Sequence, residues 1–197
     1  MVAVLPLPAG PVGRNLMPTL CGNRGAALRR KGGDTAINAA YVARLKSRYA
    51  EEGRALLDEG VAPALIANAT RHAGFAASPL PAGARGEQAG GAQAAASGQA
   101  RAIGERLLTL LALEAVRCLE EGVVAQPVEA DLGAVLGVGY PDWTGGTLSY
   151  IETVGLADFV GRCDDLAACH GDRLRPTPGL RHRAQAAQLF YDMGQGS

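Results

Sequence analysis

The sequence predicts an all-α fold, and three observations support this prediction. Apolar residues recur every three or four positions in several stretches, which is the period of an amphipathic helix. Prolines stand where such stretches begin and glycines where they end, as at Pro63, Pro127, Gly60 and Gly122. No stretch alternates apolar and polar residues as a half-buried strand would. We therefore expect helices and no Rossmann domain.

Residues 1–33 show neither a helical nor a strand period. They contain four prolines, many glycines and the basic cluster Arg29-Arg30-Lys31. We expect an irregular or disordered arm in which this short cluster is a solvated patch.

Residues 34–81 form the first predicted helical unit. Asp34 or Thr35 is expected to cap its first helix, which Gly60 ends. Pro63 begins a second helix that ends near Gly74. The residues with helical spacing in this unit are Ile37, Tyr41, Val42, Leu45, Tyr49, Leu56, Leu57, Leu65, Ile66 and Ala69.

Residues 82–100 are of low complexity, with nothing larger than Gln, Glu or Arg. Such a stretch buries too little surface to offset the entropy of ordering it. We therefore expect an Ala/Gly linker between the two units.

Residues 101–193 form the second predicted unit. A strongly apolar helix ends at Gly122, and Pro127 begins the next helix. The residues of this next helix that should face the core are Val128, Leu132, Val135 and Leu136.

A loop over residues 137–146 separates that helix from the rest of the second unit. The following helix ends at Gly155, and further helices are predicted over residues 158–169 and 180–191.

An internal repeat relates the two units. The segment 52–62 reappears 62 residues later as 114–124, with Glu, Leu, Glu, Gly and Val in register. Each copy is followed by a proline, a short helix and a glycine-aromatic pair, Gly74-Phe75 and Gly139-Tyr140. We expect two copies of one helical unit that pack pseudo-symmetrically.

Composition excludes some classes of function. The 197 residues carry 19 basic and 19 acidic side chains, whereas a nucleic-acid binder usually concentrates positive charge. No apolar run approaches the roughly 20 residues that span a bilayer, and the proline-broken start is a poor signal peptide. We expect a cytoplasmic protein with neither a nucleic-acid partner nor a membrane span.

The cysteines do not predict a metal site. Cys21, Cys118, Cys163 and Cys169 form no paired motif, and Cys163, Cys169 and His170 lack a fourth ligand. We expect buried or incidental thiols and no bound metal.

The segment 137–146 is interpreted as a structural turn motif. Its Gly137-x-Gly139 pair suggests a dinucleotide site, but Asp142 occupies the third-glycine position and the preceding segment has a helical pattern. A tight turn between helices explains the pattern better. The residues of this motif are Gly137, Gly139, Pro141, Trp143, Gly145 and Gly146.

No catalytic constellation emerges from the titratable residues. His72, His170 and His182 are interpreted as surface or helix-end residues, with the cation of His170 favoured by the helix dipole. Neighbouring helix residues point about 100° apart, so the pairs Glu51-Glu52 and Glu120-Glu121 are interpreted as solvated faces.

Two long motifs nevertheless resemble a known family. They are Glu114-Ala-Val-Arg-Cys-Leu-Glu-Glu-Gly-Val-Val and Asp131-Leu-Gly-Ala-Val-Leu-Gly-Val-Gly-Tyr-Pro-Asp-Trp-Thr-Gly-Gly-Thr-Leu-Ser-Tyr-Ile-Glu-Thr-Val-Gly. With residues 41–80, they resemble the C-terminal domain of the 3-hydroxyacyl-CoA dehydrogenases, especially the multifunctional fatty-acid oxidation α subunits. The resemblance implies two helical units of the 6-phosphogluconate dehydrogenase C-terminal type.

The resemblance also implies a function, the NAD-dependent oxidation of (3S)-3-hydroxyacyl-CoA in fatty-acid β-oxidation. In that family a Rossmann domain carries NAD and the catalytic His with its Glu partner, and this chain shows no counterpart of either. We therefore expect no catalytic residue and no cofactor bound by this chain, which looks truncated. Ala43 stands where the family commonly has Asn or Ser near substrate, which leaves the adjacent Arg44 as a substrate-binding candidate.

Three functions stay open at this point. In the first, the chain is the helical part of a dehydrogenase and contacts acyl-CoA and a separate NAD-binding domain. In the second, it is a non-catalytic module that packs on an oxidation-complex subunit or on itself. In the third, it is a degenerate remnant.

Overall fold

The all-α prediction is confirmed by a computed structural model that describes residues 38–81 and 93–191. Within those ranges the chain forms helices and turns and no strand. The α-helices are α1 (Ala39–Asp58), α2 (Pro63–Ala73), α3 (Gln93–Glu120), α4 (Pro127–Leu132), α5 (Thr147–Val154), α6 (Leu156–His170) and α7 (Pro178–Gln185). A π-helical turn at Gly133–Val138 and 3-10 turns at Asp142–Thr144 and Asp172–Leu174 connect them.

The helix ends follow local chemistry. The backbone is left-handed at Gly60 (φ +83°) and Gly122 (φ +74°), just after α1 and α3, where only glycine adopts that conformation at no steric cost. Pro63 and Pro127 occupy the first turns of α2 and α4 as predicted. Asn38 caps α1 by accepting the Tyr41 N–H on its side-chain oxygen at 3.2 Å. The predicted caps, Asp34 and Thr35, lie outside the described residues.

Some predicted boundaries are wrong. The segment 93–100 was expected to be linker, but α3 begins at Gln93 and buries Ala100. Three alanines follow Gln93, and alanine has the highest helix propensity, so the segment extends α3 towards its N-terminus. The rest of the predicted linker, residues 82–92, lies outside the described part of the chain, as does the arm at 1–33.

Later boundaries also shift. The helix expected over residues 158–169 starts at Leu156, directly after Gly155, and the last helix runs from Pro178 to Gln185. Pro178 fits the first turn of α7, since a proline there gives up no intrahelical hydrogen bond. The helical backbone also continues through Gly137, which was expected to begin a loop.

Helix α3 contacts α1, α2, α4, α5 and α6 and supplies the centre of the core. Its fully buried apolar residues include Leu107, Leu111 and Leu113. The aromatic residues of the predicted glycine-aromatic pairs meet in this core, because the rings of Phe75 and Tyr140 contact edge to face with centroids 5.7 Å apart. The two units therefore pack directly against each other.

The predicted core face of the Pro127 helix is wrong for three of its four residues, and the fourth, Val135, is half-buried. Val128 is 50% exposed, Leu132 40% and Leu136 67%. The buried positions of this segment include Gly133 and Ala134, because α1 approaches so closely that a Cβ on Gly133 would lie 2.9 Å from the Tyr41 ring. Gly133 and Ala134 therefore face inward here, and Val128, Leu132 and Leu136 face outward.

Candidate functional site

Arg44, the substrate-binding candidate, lies on α1 and binds two carboxylates of the second unit. Its Nε donates to Glu114 at 2.5 Å, and its Nη1 and Nη2 both donate to Glu121, Nη2 at 3.0 Å. The hydrogen bonds to Glu121 are the main reason that the pKa of Arg44 is raised. A substrate role for Arg44 stays a prediction, and a substrate would meet a guanidinium already held by two carboxylates.

The same arrangement occurs 62 residues later around Arg106 on α3. Its Nε donates to Glu52 at 2.5 Å, and its Nη1 and Nη2 donate to Glu59, both at 2.7 Å. We call Arg44, Glu114 and Glu121 the Arg44 cluster, and Arg106, Glu52 and Glu59 the Arg106 cluster. Each arginine uses the same nitrogen atoms, and each binds two glutamates of the opposite unit.

This reciprocal pairing corrects the interpretation of one glutamate pair. Glu52 is 1% exposed and is not part of a solvated face, whereas Glu51, Glu120 and Glu121 are exposed as expected. Glu114, which corresponds to Glu52 in the second unit, is also buried. The repeat carried a signal for this pairing. Arg44 and Arg106 are 62 residues apart, and so are Glu52 and Glu114 and also Glu59 and Glu121. Burying a carboxylate is costly unless a cation pairs with it. A buried glutamate that recurs in both copies of the repeat therefore predicts a basic residue that recurs with the same spacing.

The two clusters differ in their surroundings. The Arg106 side chain is 3% exposed, and a further arginine, Arg173, donates from Nε to Glu52 at 2.7 Å. His170 lies on the same side, with Nδ1 2.9 Å from Nη1 of Arg106. The Arg44 side chain is 30% exposed, and the additional bases near its buried glutamate, Arg48 and Arg117, also lie near the surface.

His170 is the last residue of α6, as expected, but the cationic form is not the favoured one. Burial is the largest cause that lowers its pKa, followed by the positive charge of Arg106, and these outweigh the opposing effect of Glu59. His72 and His182 are exposed, in agreement with their interpretation as surface residues.

The turn motif packs the two units together. A Cβ added at Gly137 would lie 2.5 Å from the Val42 side chain, and one at Gly139 would lie 2.6 Å from Ala76. These glycines therefore allow the first unit to approach the backbone of the second. The Ala76 N–H donates to the Gly139 carbonyl at 3.0 Å across the same contact.

Asp131 explains the last glycine of this motif, Gly146. Its buried carboxylate accepts the backbone N–H groups of Leu148 at 2.6 Å and Ser149 at 3.1 Å, at the start of α5. A Cβ on Gly146, whose φ is +128°, would collide with Asp131. Since a carboxylate already accepts the N–H groups of Leu148 and Ser149, these two groups are not free to bind a phosphate.

Pro141 and Trp143 complete the motif beside the end of α2. Pro141 is buried, and Trp143 is 64% exposed with its Nε1 donating to the Ala73 carbonyl at 3.0 Å. The backbone at Gly145 is left-handed (φ +77°) where the 3-10 turn ends. The indole of Trp143 forms part of the wall of an open groove of about 420 Å³.

The cysteines of the described part of the chain are free thiols. Burial raises the pKa of Cys118 to about 11 and that of Cys163 to about 12, so both favour the neutral thiol. Cys169 is exposed, and Cys21 lies outside the described residues. Residues 38–81 and 93–191 contain no group of three or more His, Cys, Asp or Glu placed to hold a metal ion. No helix in these ranges is long and apolar enough to cross a membrane.

Comparisons with known proteins bear directly on the resemblance. The chain is 43% identical over 86 residues to the fatty acid oxidation complex subunit alpha of Pseudomonas putida, a match that covers 44% of this chain. It is 40% identical over 79 residues to that of Vibrio campbellii and 39% identical over 93 residues to that of Shewanella amazonensis, covering 40% and 47% of this chain. The resemblance to these α subunits is confirmed.

The similarity is local. The matched segments span only 11–13% of the length of these curated relatives. No protein-family model matches the chain. The matches relate the chain to a short part of proteins of fatty acid oxidation.

Proposed function

We propose that this chain supplies the helical part of a 3-hydroxyacyl-CoA dehydrogenase in fatty-acid β-oxidation. The observation that carries the proposal is the 38–43% identity to fatty acid oxidation complex α subunits over 79–93 residues. The reaction is the NAD-dependent oxidation of (3S)-3-hydroxyacyl-CoA to 3-ketoacyl-CoA. We assign this role to the cytoplasm, as part of the same proposal.

In this proposal the described residues have a structural role, and the catalytic residues belong to another domain. A dehydrogenase of this type needs a histidine that takes the hydroxyl proton and a carboxylate that orients it. His170 is held by Arg106 and lies 3.4 Å from Glu59 inside an ion-pair cluster, and His72 and His182 are exposed. The proposal therefore assigns the catalytic His-Glu pair and the NAD site to a domain outside the described residues, with acyl-CoA between the two domains.

The contact with that NAD-binding domain is assigned to the outer face of the α4 segment. Val128, Leu132 and Leu136 are spaced four residues apart and are each 40–67% exposed, so they form one apolar row, which we call the α4 row. An apolar row of this kind is typical of an interaction surface. The same row favours the second candidate function, a non-catalytic interaction module that binds an oxidation-complex subunit.

A reconstitution assay tests the proposal. The purified chain is mixed with the separately expressed NAD-binding domain of the Pseudomonas putida α subunit, 3-hydroxybutyryl-CoA and NAD, and the formation of NADH is followed. We expect no turnover from the chain alone and turnover from the mixture above that of the NAD-binding domain. Turnover by the chain alone would contradict the assignment of the chemistry to another domain.

Two matched variants test the contact surface. Leu136→Asp places a charge in the α4 row, whereas Leu189→Asp places the same charge at another exposed leucine. We expect the first to reduce the reconstituted rate at least tenfold and the second to leave it within about twofold. If the mixture binds through the α4 row but does not turn over, the interaction module is the better description.

A further inference from the structure

A groove beside Trp143 lies apart from the ion-pair clusters and the α4 row. It runs between α2, α3, α5 and α6 and has a volume of about 420 Å³. This volume is within the range of pockets that hold small molecules. Its lining includes Ala73, Ala100, Leu108, Trp143, Tyr150 and Arg162.

Most of the wall is apolar. Ala73, Ala100 and Leu108 line it with small or aliphatic side chains, and the indole of Trp143 adds a large flat surface. The hydrogen bond from Trp143 Nε1 to the Ala73 carbonyl fixes the indole in place. A flexible apolar chain would therefore find a preformed surface here, and little ordering of the protein would be needed to bind it.

The polar part of the wall carries a positive charge. Arg162 is half-buried and donates from Nη1 to the Tyr150 hydroxyl at 2.8 Å. No carboxylate of residues 38–81 or 93–191 forms an ion pair with it, whereas the groove's other arginine, Arg101, pairs with Glu105 at 3.0 Å. The charges of Arg101 and Glu105 compensate each other, so Arg162 is the lining guanidinium that no carboxylate of the described residues pairs with.

We infer that this groove binds an amphipathic monocarboxylate, with the carboxylate on Arg162 and the alkyl chain along Trp143. A guanidinium binds a carboxylate through two parallel N–H bonds, and Arg162 has further N–H groups beyond the one that meets Tyr150. A single carboxylate matches the one lining guanidinium that lacks a carboxylate partner among the described residues. The site goes beyond the proposed dehydrogenase role, since it uses none of the residues assigned to the partner domain or its contact.

The protein carries its own reporter for this site, because Trp143 is the only tryptophan in the sequence. Octanoate is titrated into the full chain at constant ionic strength, and the tryptophan emission is followed. We expect a saturable change with octanoate and at least about tenfold weaker binding of 1-octanol, which has the chain but not the charge. Equal binding of octanoate and octanol would overturn the proposal, and so would no saturable change.

A pair of arginine variants locates the carboxylate. Arg162→Gln removes the charge in the groove, and Arg71→Gln removes the same charge from an exposed position of α2 that does not line it. We expect R162Q to weaken octanoate binding about tenfold or more and R71Q to change it less than twofold. Octanoate affinity that falls equally in both variants would contradict a site at Arg162. If R162Q loses its helical circular dichroism, Arg162→Lys serves instead, because it keeps the charge but loses the bidentate geometry and should weaken binding by a smaller factor.

Discussion

The Arg44 and Arg106 clusters have the same hydrogen bonds and different surroundings. In both, the arginine Nε binds one glutamate of the opposite unit and the two Nη atoms bind a second. The Arg106 side chain is 3% exposed and the Arg44 side chain 30%. The bonds come from the repeat, whereas the contacts of His170 and Arg173 with the Arg106 cluster come from residues that follow the repeated segments in the chain.

This difference shows which part of an ion pair a repeat can specify. Two copies of one helical sequence place the same charged atoms in the same geometry. The energy of the pair depends on solvent, since a buried pair is poorly screened and a partly exposed pair is screened by water and salt. The two clusters should therefore contribute unequally to stability despite their equal contacts.

The largest effect is expected on removing the buried arginine. Arg106→Met leaves Glu52 buried with Arg173 as its remaining cation, and an incompletely compensated buried charge is strongly destabilising. We expect a loss of about 3 kcal/mol or more in the free energy of unfolding, measured by urea titration of the helical circular dichroism. Arg101→Met, at an exposed ion pair of the same helix, should cost less than about 0.5 kcal/mol. A loss at Arg106 no larger than this control would contradict the role of burial.

The corresponding change in the other cluster should cost less. Arg44→Met leaves Glu114 paired with Arg48 and Arg117, both of which reach water. We expect a loss of about 1 kcal/mol in the same urea titration. Arg54→Met, at an exposed position of α1, is the control and should have almost no effect. If R44M and R106M destabilised the protein equally, the difference in burial would have no energetic meaning.

His170 should make the Arg106 cluster sensitive to pH. Its neighbours are Arg106, Arg173, Glu52 and Glu59, and its pKa in the folded protein is lowered by burial and by Arg106. The unfolded chain therefore binds a proton more readily at this site. The free energy of unfolding should be fully maintained above the ordinary histidine pKa of 6.5 and should fall as the pH drops below it.

This pH dependence can be assigned by substitution. Urea titrations between about pH 7.5 and 5.5 give the free energy of unfolding at each pH. The slope of this free energy against pH should be smaller for His170→Gln than for the unchanged chain. His72→Gln, at an exposed histidine, should keep the full slope. An unchanged slope in H170Q would mean that another group titrates. Below the ordinary glutamate pKa of 4.5, protonation of Glu59 should cause a further loss, because its hydrogen bonds to Arg106 lower its pKa.

The smallest expected effect is that of salt. Raising the ionic strength to about 1 M shortens the screening length to roughly 3 Å. Salt then weakens the partly exposed ion pairs of Arg44 in the unsubstituted protein. The destabilisation caused by R44M should therefore shrink by a few tenths of a kcal/mol, because less attraction is left to lose. The destabilisation caused by R106M should stay nearly constant. Equal salt dependence of the two variants, in matched urea titrations, would show that water reaches both clusters alike.

The sequence predicts the helix ends well because they depend on local chemistry. Pro63 and Pro127 begin helices, and Gly60, Gly74 and Gly122 end them, since φ restriction at proline and left-handed backbone at glycine act within a few residues. The register of the repeat was also predictable, because aligning the matching residues of 52–62 and 114–124 requires no knowledge of the fold.

Features that depend on distant contacts were harder to predict. The large apolar residues of the α4 segment were expected inside, and only the approach of Tyr41 and Val42 to Gly133 and Gly137 excludes them. The pairing of Arg44 with Glu114 joins residues 70 positions apart. Helical spacing gives the faces of a helix but not which face a neighbour covers, and charge pairs across that distance follow only from the packing.

The buried polar groups also bear on the interpretation of the chain as a degenerate remnant. Among the described residues, no buried side-chain nitrogen or oxygen lacks a hydrogen-bond partner. Random substitution tends to leave such groups unpaired, and each one costs about 1–3 kcal/mol. The paired clusters therefore favour a chain that folds cooperatively.

The most direct test of the reciprocal pairing is a pair of double-mutant cycles. One combines Arg106→Met with Glu59→Gln, which are partners, and the other combines Arg106→Met with Glu121→Gln, which belong to different clusters. The paired clusters predict a coupling free energy of about 1 kcal/mol or more in the first cycle and below about 0.5 kcal/mol in the second. Coupling that is absent from the first cycle, or equal in both, would contradict the pairing of each arginine with the glutamates of the opposite unit.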